Sequence, residues 1–234
     1  LQVVMGRFSK MGMLFGMLGV FLILQPCVAQ HSSLDSLLLL VRGAQNDSSK
    51  VNRLNALGVE YLRIDSLPVA MAYSDSALAL ASEITYPKGK AYALKNKGLA
   101  EYYRGNYLEV FDYWTQSLEL FESIRDTLGI ANMASNLGVI YYDQGSHDNA
   151  LNYYLQSLGM SEKLGDPTRI TTALVNIGGV YSQMQDYEKA LEYYQKVRPY
   201  LGALEDPVIE STYLMGIGEV YSLRGDHDEA IRYF

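Results

Sequence analysis

Asn136-Leu137-Gly138-Val139-Ile140-Tyr141-Tyr142-Asp143-Gln144-Gly145, followed shortly by Asn149-Ala150-Leu151-Asn152-Tyr153-Tyr154, is the stretch whose reading decides the architecture. Met133, Leu137, Ile140 and Tyr141 recur at spacings of three and four, the period of a helix with one buried face. Gln144-Gly145-Ser146 interrupts that period, and Gly145 can take the positive φ that ends a helix. Ala150, Leu151, Tyr154 and Leu158 then place a second apolar stripe on the far side of the turn. Gly165-Asp166-Pro167 stops this second helix and starts another, with Asp as N-cap and Pro at the first helical position. The local prediction is a pair of antiparallel helices.

The pair is one copy of a repeat. Gly58, Gly98, Gly138, Gly178 and Gly218 are spaced by 40 residues. Twelve residues after each glycine stands Ala70, Val110, Ala150, Ala190 or Ala230. Fifteen and sixteen residues after it stand Tyr73-Ser74, Tyr113-Trp114, Tyr153-Tyr154, Tyr193-Tyr194 and Tyr233-Phe234. The 20 tyrosines of the chain are thus largely a repeat effect. Small residues at facing positions let two helices approach closely, with the aromatic filling the gap beside them. No single unit buries its apolar face alone, so the units are expected to stack. Asp126, Asp166 and Asp206 fall at equivalent helix starts.

Upstream, residues 1–29 read as a secretory signal. Arg7 and Lys10 precede the fourteen-residue run Met11–Leu24, Pro26 breaks it, and Cys27 and Ala29 form a small-x-small pair. Such a run makes about 21 Å of helix, short of the ~30 Å hydrocarbon core. Cleavage is expected after Ala29, with Met5 as a candidate start. Lipidation of Cys27 and retention as an uncleaved anchor are the alternatives, although Pro26 directly before the cysteine fits a lipoprotein signal poorly. Residues 30–47 hold a lone apolar helix containing Ser36–Val41, ended by Gly43 and suited to cap the first full unit. Residues 48–234 hold about five 40-residue units, the last cut short at Phe234.

Composition limits the chemistry. A single cysteine among 234 residues excludes a disulfide framework, a multi-cysteine metal site or a CxxC redox centre. Net charge is −7, or −9 with 17 basic and 26 acidic residues once the signal is removed, which argues against gripping a phosphate backbone. His147 and His227 lie 80 residues apart, in the turn slot that Tyr107 and Tyr187 fill elsewhere, and read as packing substitutes for an aromatic. No carboxylate pair with a base or nucleophile, and no Gly-rich phosphate loop, is recognisable. No catalytic residue, metal site, cofactor or nucleic-acid partner is expected.

The motifs Asn136–Tyr154 and Asn176-Ile177-Gly178-Gly179-Val180-Tyr181 with Glu188-Lys189-Ala190-Leu191-Glu192-Tyr193-Tyr194 resemble the tetratricopeptide repeat, in its long 40-residue class. The resemblance implies an all-α fold, a right-handed α-solenoid of antiparallel helix pairs. Lys97, Glu101 and Ser74 depart from its pattern in the first two units. The export signal, Leu34–Leu40 and Asp47–Gly58 further resemble the N-terminal sensor region of bacterial signalling proteins. There the repeats precede a membrane helix and a histidine kinase, a nucleotide cyclase or a DNA-binding output.

In such repeats the first helices line a ligand groove. Asn96, Asn136 and Asn176, each two residues before a repeat glycine, would form a row of amides able to pair with the backbone of an extended peptide. The alternative is that each amide bonds a neighbouring helix and only sets the repeat spacing. Asn132, Tyr92, Lys95, Tyr102, Tyr142 and Ser182 complete the candidate groove, with Ser135, Val139, Thr172, Val175 and Leu99 beside them. Lys95 is the only basic member, so a carboxylate clamp is not recognisable. The expectation is an exported module binding a peptide or protein, part of a larger membrane signalling protein and tied to the membrane only outside the array. The alternatives are a scaffold without an output domain, or the non-catalytic part of an enzyme whose active domain lies beyond Phe234.

Overall fold

The computed structural model describes residues 27–203 and 207–234, with side chains from Leu34 onward. The signal segment therefore lies outside the described residues except for Cys27, Val28 and Ala29, and so does the expected cap Asp206. Eleven α-helices and one 3₁₀ turn are present among the described residues, with no strand. The chain is the all-α, paired-helix solenoid that the repeat implies.

Two bodies divide it, one running to Met133 and the other from Ala134 to Phe234. In the first, α1 (Cys27–Arg42) precedes the pairs α2 (Ser48–Arg63) with α3 (Leu67–Glu83) and α4 (Pro87–Arg104) with α5 (Tyr107–Ser123). Helix α6 (Thr127–Asp143) contains the boundary. The second body continues with α7 (His147–Leu164), the pair α8 (Pro167–Gln183) with α9 (Tyr187–Gln195), and α10 (Pro207–Arg224) with α11 (His227–Tyr233).

The turns explain why the period survives changes of sequence. Gly105, Gly145 and Gly225 take positive φ within units, at the slot that Asp65 and Gln185 fill with φ of 58° and 62°. Thr85, Arg125 and Gly165 do the same between units. At each turn the following amide reaches back five residues, as in Ser146 N–H to Tyr141 C=O (2.8 Å) and Asp186 N–H to Tyr181 C=O (2.9 Å). This closure satisfies the last carbonyls of the preceding helix. Asp126 and Asp166 cap the next helices by accepting from the amides of Gly129 (2.9 Å) and Arg169 (3.1 Å).

Packing follows the expected logic. Ala70, Val110, Ala150 and Ala190 are fully buried. A Cβ on Gly98 would stand 2.3 Å from the Trp114 ring, and one on Gly138 2.5 Å from that of Tyr154. Each repeat glycine therefore receives the ring sixteen residues later. In the first unit Ser74 replaces that ring and turns its hydroxyl onto the Ala70 carbonyl (2.8 Å). Stacked tyrosines bind the hairpins, with centroids 5.3 Å apart for Tyr61–Tyr73, 5.4 Å for Tyr141–Tyr153 and 5.5 Å for Tyr181–Tyr193.

Glu101 removes this stack from the second unit, and a polar set replaces it. Lys97 lies over the Tyr113 ring (4.7 Å) and pairs with Asp75 (2.7 Å). Glu101 accepts from Arg104 (2.8 Å) and Asn106 (2.6 Å). The three departures from the repeat pattern are thus absorbed without loss of the hairpin.

Helix α9 is short because Pro199 follows it. Proline cannot donate to the helical ladder and pushes its predecessor out of the α region. The chain continues as a 3₁₀ turn, Arg198–Ala203, with Val197 still fully buried in the core around Ile170, Tyr194 and Ile217. At the other end, Val41 packs on the Val51–Leu54 core and Arg53 donates to the Leu40 carbonyl (3.1 Å), while Leu39 and Leu40 are exposed.

Candidate functional site

Consecutive first helices pack on one another, α2 on α4 and α8 on α10, more closely than the second helices do. The first helices are therefore the inner layer of each body, and the candidate groove residues all lie on them.

In the N-terminal body most of these residues serve packing. Asn96 is 1% exposed, and its Nδ2 donates to the carbonyl of Asn55 on the preceding first helix (3.0 Å). Asn55 in turn donates to the Gly89 carbonyl (2.9 Å). Here the amide nitrogen links neighbouring units, while Asn96 Oδ1 is enclosed without a partner among the described residues. Tyr92 meets Phe121 edge-on at 5.1 Å and carries Lys95 above its ring at 5.5 Å. Tyr102 stacks on Trp114 at 5.9 Å, and Trp114 donates to the Lys95 carbonyl (3.1 Å). Asn132 is half-buried and already engaged by a neighbour.

The C-terminal body also encloses unpartnered polar atoms on its first helices. Asn136 and Asn176 are half-buried, and the Nδ2 of Asn176 is enclosed without a partner among the described residues. Ser182 is 4% exposed and its hydroxyl is likewise unpartnered. A Ser hydroxyl in a helix ordinarily bonds the carbonyl four residues back, as Thr172 does with Thr168 (2.8 Å). Tyr142 is pushed up to about 12 by desolvation, then by the charges of Glu219 and Asp143, against a hydrogen bond from Gln183. Burial pushes the Tyr194 hydroxyl well up, and the charge of Glu219 adds to it. Desolvation raises Asp143 to about 6 and also raises Glu219. Sequence reading selected Tyr142, Asn176 and Ser182 on this face and missed Asp143, Glu219, Gln183 and Tyr194. The 40-residue register held the missing signal, because Glu219 falls at the slot of Val139 and Gly179.

His147 opens α7 and His227 opens α11, at the slots where Tyr107 and Tyr187 open α5 and α9. The His147 ring lies 6.3 Å from Tyr142, as Tyr107 lies 6.1 Å from Tyr102, so it occupies the aromatic slot. Among the described residues no group of three or more His, Cys, Asp or Glu could hold a metal. Among them, too, no helix is long and apolar enough to cross a membrane.

A stack of 40-residue hairpins, each closed by a ring on a glycine, defines the class. The chain belongs to the tetratricopeptide-repeat family, whose model matches residues 89–163, 129–200 and 169–234. Among solved structures it is similar to BtubC (BKLC) from P. vanneervenii, with TM-score 0.76, 18% identity, and coverage of 88% of this chain and 89% of that one. It is also similar to the apo form of RapI, with TM-score 0.73, 18% identity and coverage of 87% and 57%. NprR in complex with its cognate peptide NprX gives TM-score 0.63, 18% identity and coverage of 88% and 59%. The chain thus spans less than two thirds of RapI and of NprR. The curated proteins give no sequence match.

Proposed function

We propose that this protein binds a peptide or an extended protein segment along the inner face of its first helices, principally in the body from Ala134 to Phe234. The observation that carries this reading is that, on the first helix α8, Asn176 Nδ2 and Ser182 Oγ are among the enclosed polar atoms without a partner among the described residues. An unpaired buried polar group costs about 1–3 kcal/mol, and a bound backbone supplies the missing partners. The peptide complex of NprR, similar in fold, supports the same reading. Binding, not catalysis, is the role proposed for this chain.

The sequence resemblance extends the proposal. The array is an exported sensory or interaction module of a larger membrane signalling protein, in which ligand binding changes superhelix curvature and biases an output. The alternatives are a scaffold without output, or the non-catalytic part of an enzyme. The reading frame beyond Phe234 discriminates: a membrane segment followed by kinase or cyclase motifs supports the sensor, and an early stop supports the scaffold. The binding reading is tested with degenerate decapeptide pools by fluorescence anisotropy, where no binding by any pool sinks it.

A further inference from the structure

One hairpin tip departs from the pattern of its own repeat. Leu108, on the first turn of α5, is 85% exposed. Its equivalents in the other units are Pro68, Asp148, Glu188 and Asp228. Tyr103, at the end of α4, holds the slot of Arg63, Asp143 and Gln183 and is exposed. Tyr107 is exposed as well, and Phe111 is 37% exposed where its equivalent Leu151 is 9%. The rings of Tyr103 and Tyr107 both meet that of Tyr102, each at 6.1 Å. Tyr107 and Leu108 stand four and three residues before Phe111, so the three share one helical surface. Four large apolar side chains thus form a patch at a single tip. Scattered apolar residues on a surface are ordinary, but a cluster marks a place where another surface meets it. Tyrosine and phenylalanine are also enriched where proteins touch.

The charge around the patch indicates what covers it. Helix α5 carries Glu109, Asp112, Glu119 and Glu122 and no Lys, Arg or His. Leu108, Asp112 and Glu119 are all exposed and fall within about 40° of one another around the helix axis, on one outward stripe. Asp112 accepts from the neutral Gln116 amide (2.9 Å). Glu109 and Glu119 take part in no ion pair among the described residues. Arg104, the cation nearest in sequence, is held by Glu101 (2.8 Å). A second copy laid α5 against α5 would set acid on acid, and like charges facing each other oppose association. An anionic lipid surface is repelled for the same reason. An apolar anchor with acids at helical spacing beyond it instead matches an amphipathic helix that carries Lys or Arg.

We propose that the outward face of α5 docks a basic amphipathic helix of a partner protein, its apolar residues on Tyr107, Leu108 and Phe111 and its cations facing Asp112 and Glu119. The patch supplies contact area, and the acids orient the partner and exclude acidic ones. This surface belongs to a second helix, so it is distinct from the peptide face of the first helices and does not depend on it.

The probe is a fluorescently labelled, N-acetylated and C-amidated helix of leucine and lysine, with the leucines three and four residues apart. One control scrambles its sequence to break the leucine stripe, and another replaces lysine with glutamate. By anisotropy, the wild-type chain is expected to bind the basic helix about tenfold more tightly than either control, a 1.4 kcal/mol difference. Leu108→Gln, and separately Asp112→Asn with Glu119→Gln, are each expected to weaken binding at least about fivefold with an unchanged melting temperature, since all three side chains are exposed. Asn136→Ala with Asn176→Ala is expected to leave binding of this probe within about twofold. Failure to bind the basic helix, or equal binding of the scrambled peptide, overturns the proposal. So does binding that survives either set of α5 changes, or that is lost with the two asparagines, which would move the probe to the inner face. Dimerisation in sedimentation velocity that Leu108→Gln abolishes would give the patch to a second copy and overturn the proposal. Flotation with phosphatidylcholine vesicles that the same change abolishes would give it to a membrane, with the same consequence.

Discussion

Tyr194 closes against Gly178 so tightly that a Cβ on the glycine would stand 2.7 Å from the ring's Cε1. The same ring is held from the other side, where a Cβ on Gly216 would stand 2.5 Å from the Tyr194 hydroxyl. One aromatic thus locks a hairpin and the next first helix together. At Gly179, one residue along, a Cβ would meet nothing nearer than the Tyr194 hydroxyl at 3.9 Å.

This asymmetry separates two neighbouring substitutions. Gly178→Ala is expected to destabilise by about 1–3 kcal/mol, because the ring has no direction in which to yield. Gly179→Ala is expected to be neutral or to stabilise by up to ~1 kcal/mol through helix propensity. Urea denaturation of both variants checks this, and equal stabilities would contradict the described ring placement.

The three repeat asparagines are expected to divide by role. Asn96→Ala removes a buried donor from the Asn55 carbonyl and is expected to cost about 1–3 kcal/mol. Asn176→Ala discards an amide nitrogen that has no partner among the described residues, so its stability is expected to change by less than ~1 kcal/mol. Asn136→Ala with Asn176→Ala is expected to weaken peptide-pool binding more than it lowers the melting temperature. A lowered melting temperature with unchanged binding would sink the amide-row idea for these two positions.

Two aspartates respond to pH with opposite signs. Asp143 is raised from 3.8 to about 6 by desolvation, so the folded chain holds this proton more tightly than the unfolded one. Its stabilising contribution is complete below pH 3.8 and is lost as pH rises through about 6. Asp126 is desolvated as well, but Lys88 at 2.6 Å and the amides of Gly129 and Leu128 hold it below 3.8. Its contribution is present above that value and is lost as pH falls through the lowered one. Asp143→Asn should therefore raise the urea midpoint more at pH 7 than at pH 4, and Asp126→Asn should lower it at pH 7. The same sign for both variants at pH 7 would refute the assignment.

The proposed export has a direct chemical readout. Expressed with its leader in a bacterial host, the chain is expected to begin at Gln30, without Cys27. Mass spectrometry of the periplasmic fraction checks this, and an intact Met5–Ala29 segment would rule out cleavage.

Much of the fold was legible because the repeat writes each constraint five times. The register of Gly138 and Tyr154 names their contact before any coordinate is seen. The Gly145 and Gly165 stops lie in the sequence as conformational necessities. The shortening of α9 was legible only in hindsight from Pro199, since Tyr187–Gln195 carries the same motif as the longer second helices. Lys97 and Glu101 could be flagged as departures, but their compensation by Asp75, Tyr113, Arg104 and Asn106 depends on side chains meeting across helices.

The candidate site divides along the same line. By itself the sequence determined the helix pairs, their 40-residue period and the glycine–ring closures. All of these follow from local periodicity and from how closely a small residue lets a neighbour approach. Only the tertiary structure decided which inward polar groups are already satisfied. Asn96 and Asn176 share a repeat slot, yet the Nδ2 of Asn96 donates to a neighbouring carbonyl and that of Asn176 has no partner among the described residues. Hydrogen bonding and desolvation depend on what stands across the gap, and in this repeat the residue across the gap is about forty positions away.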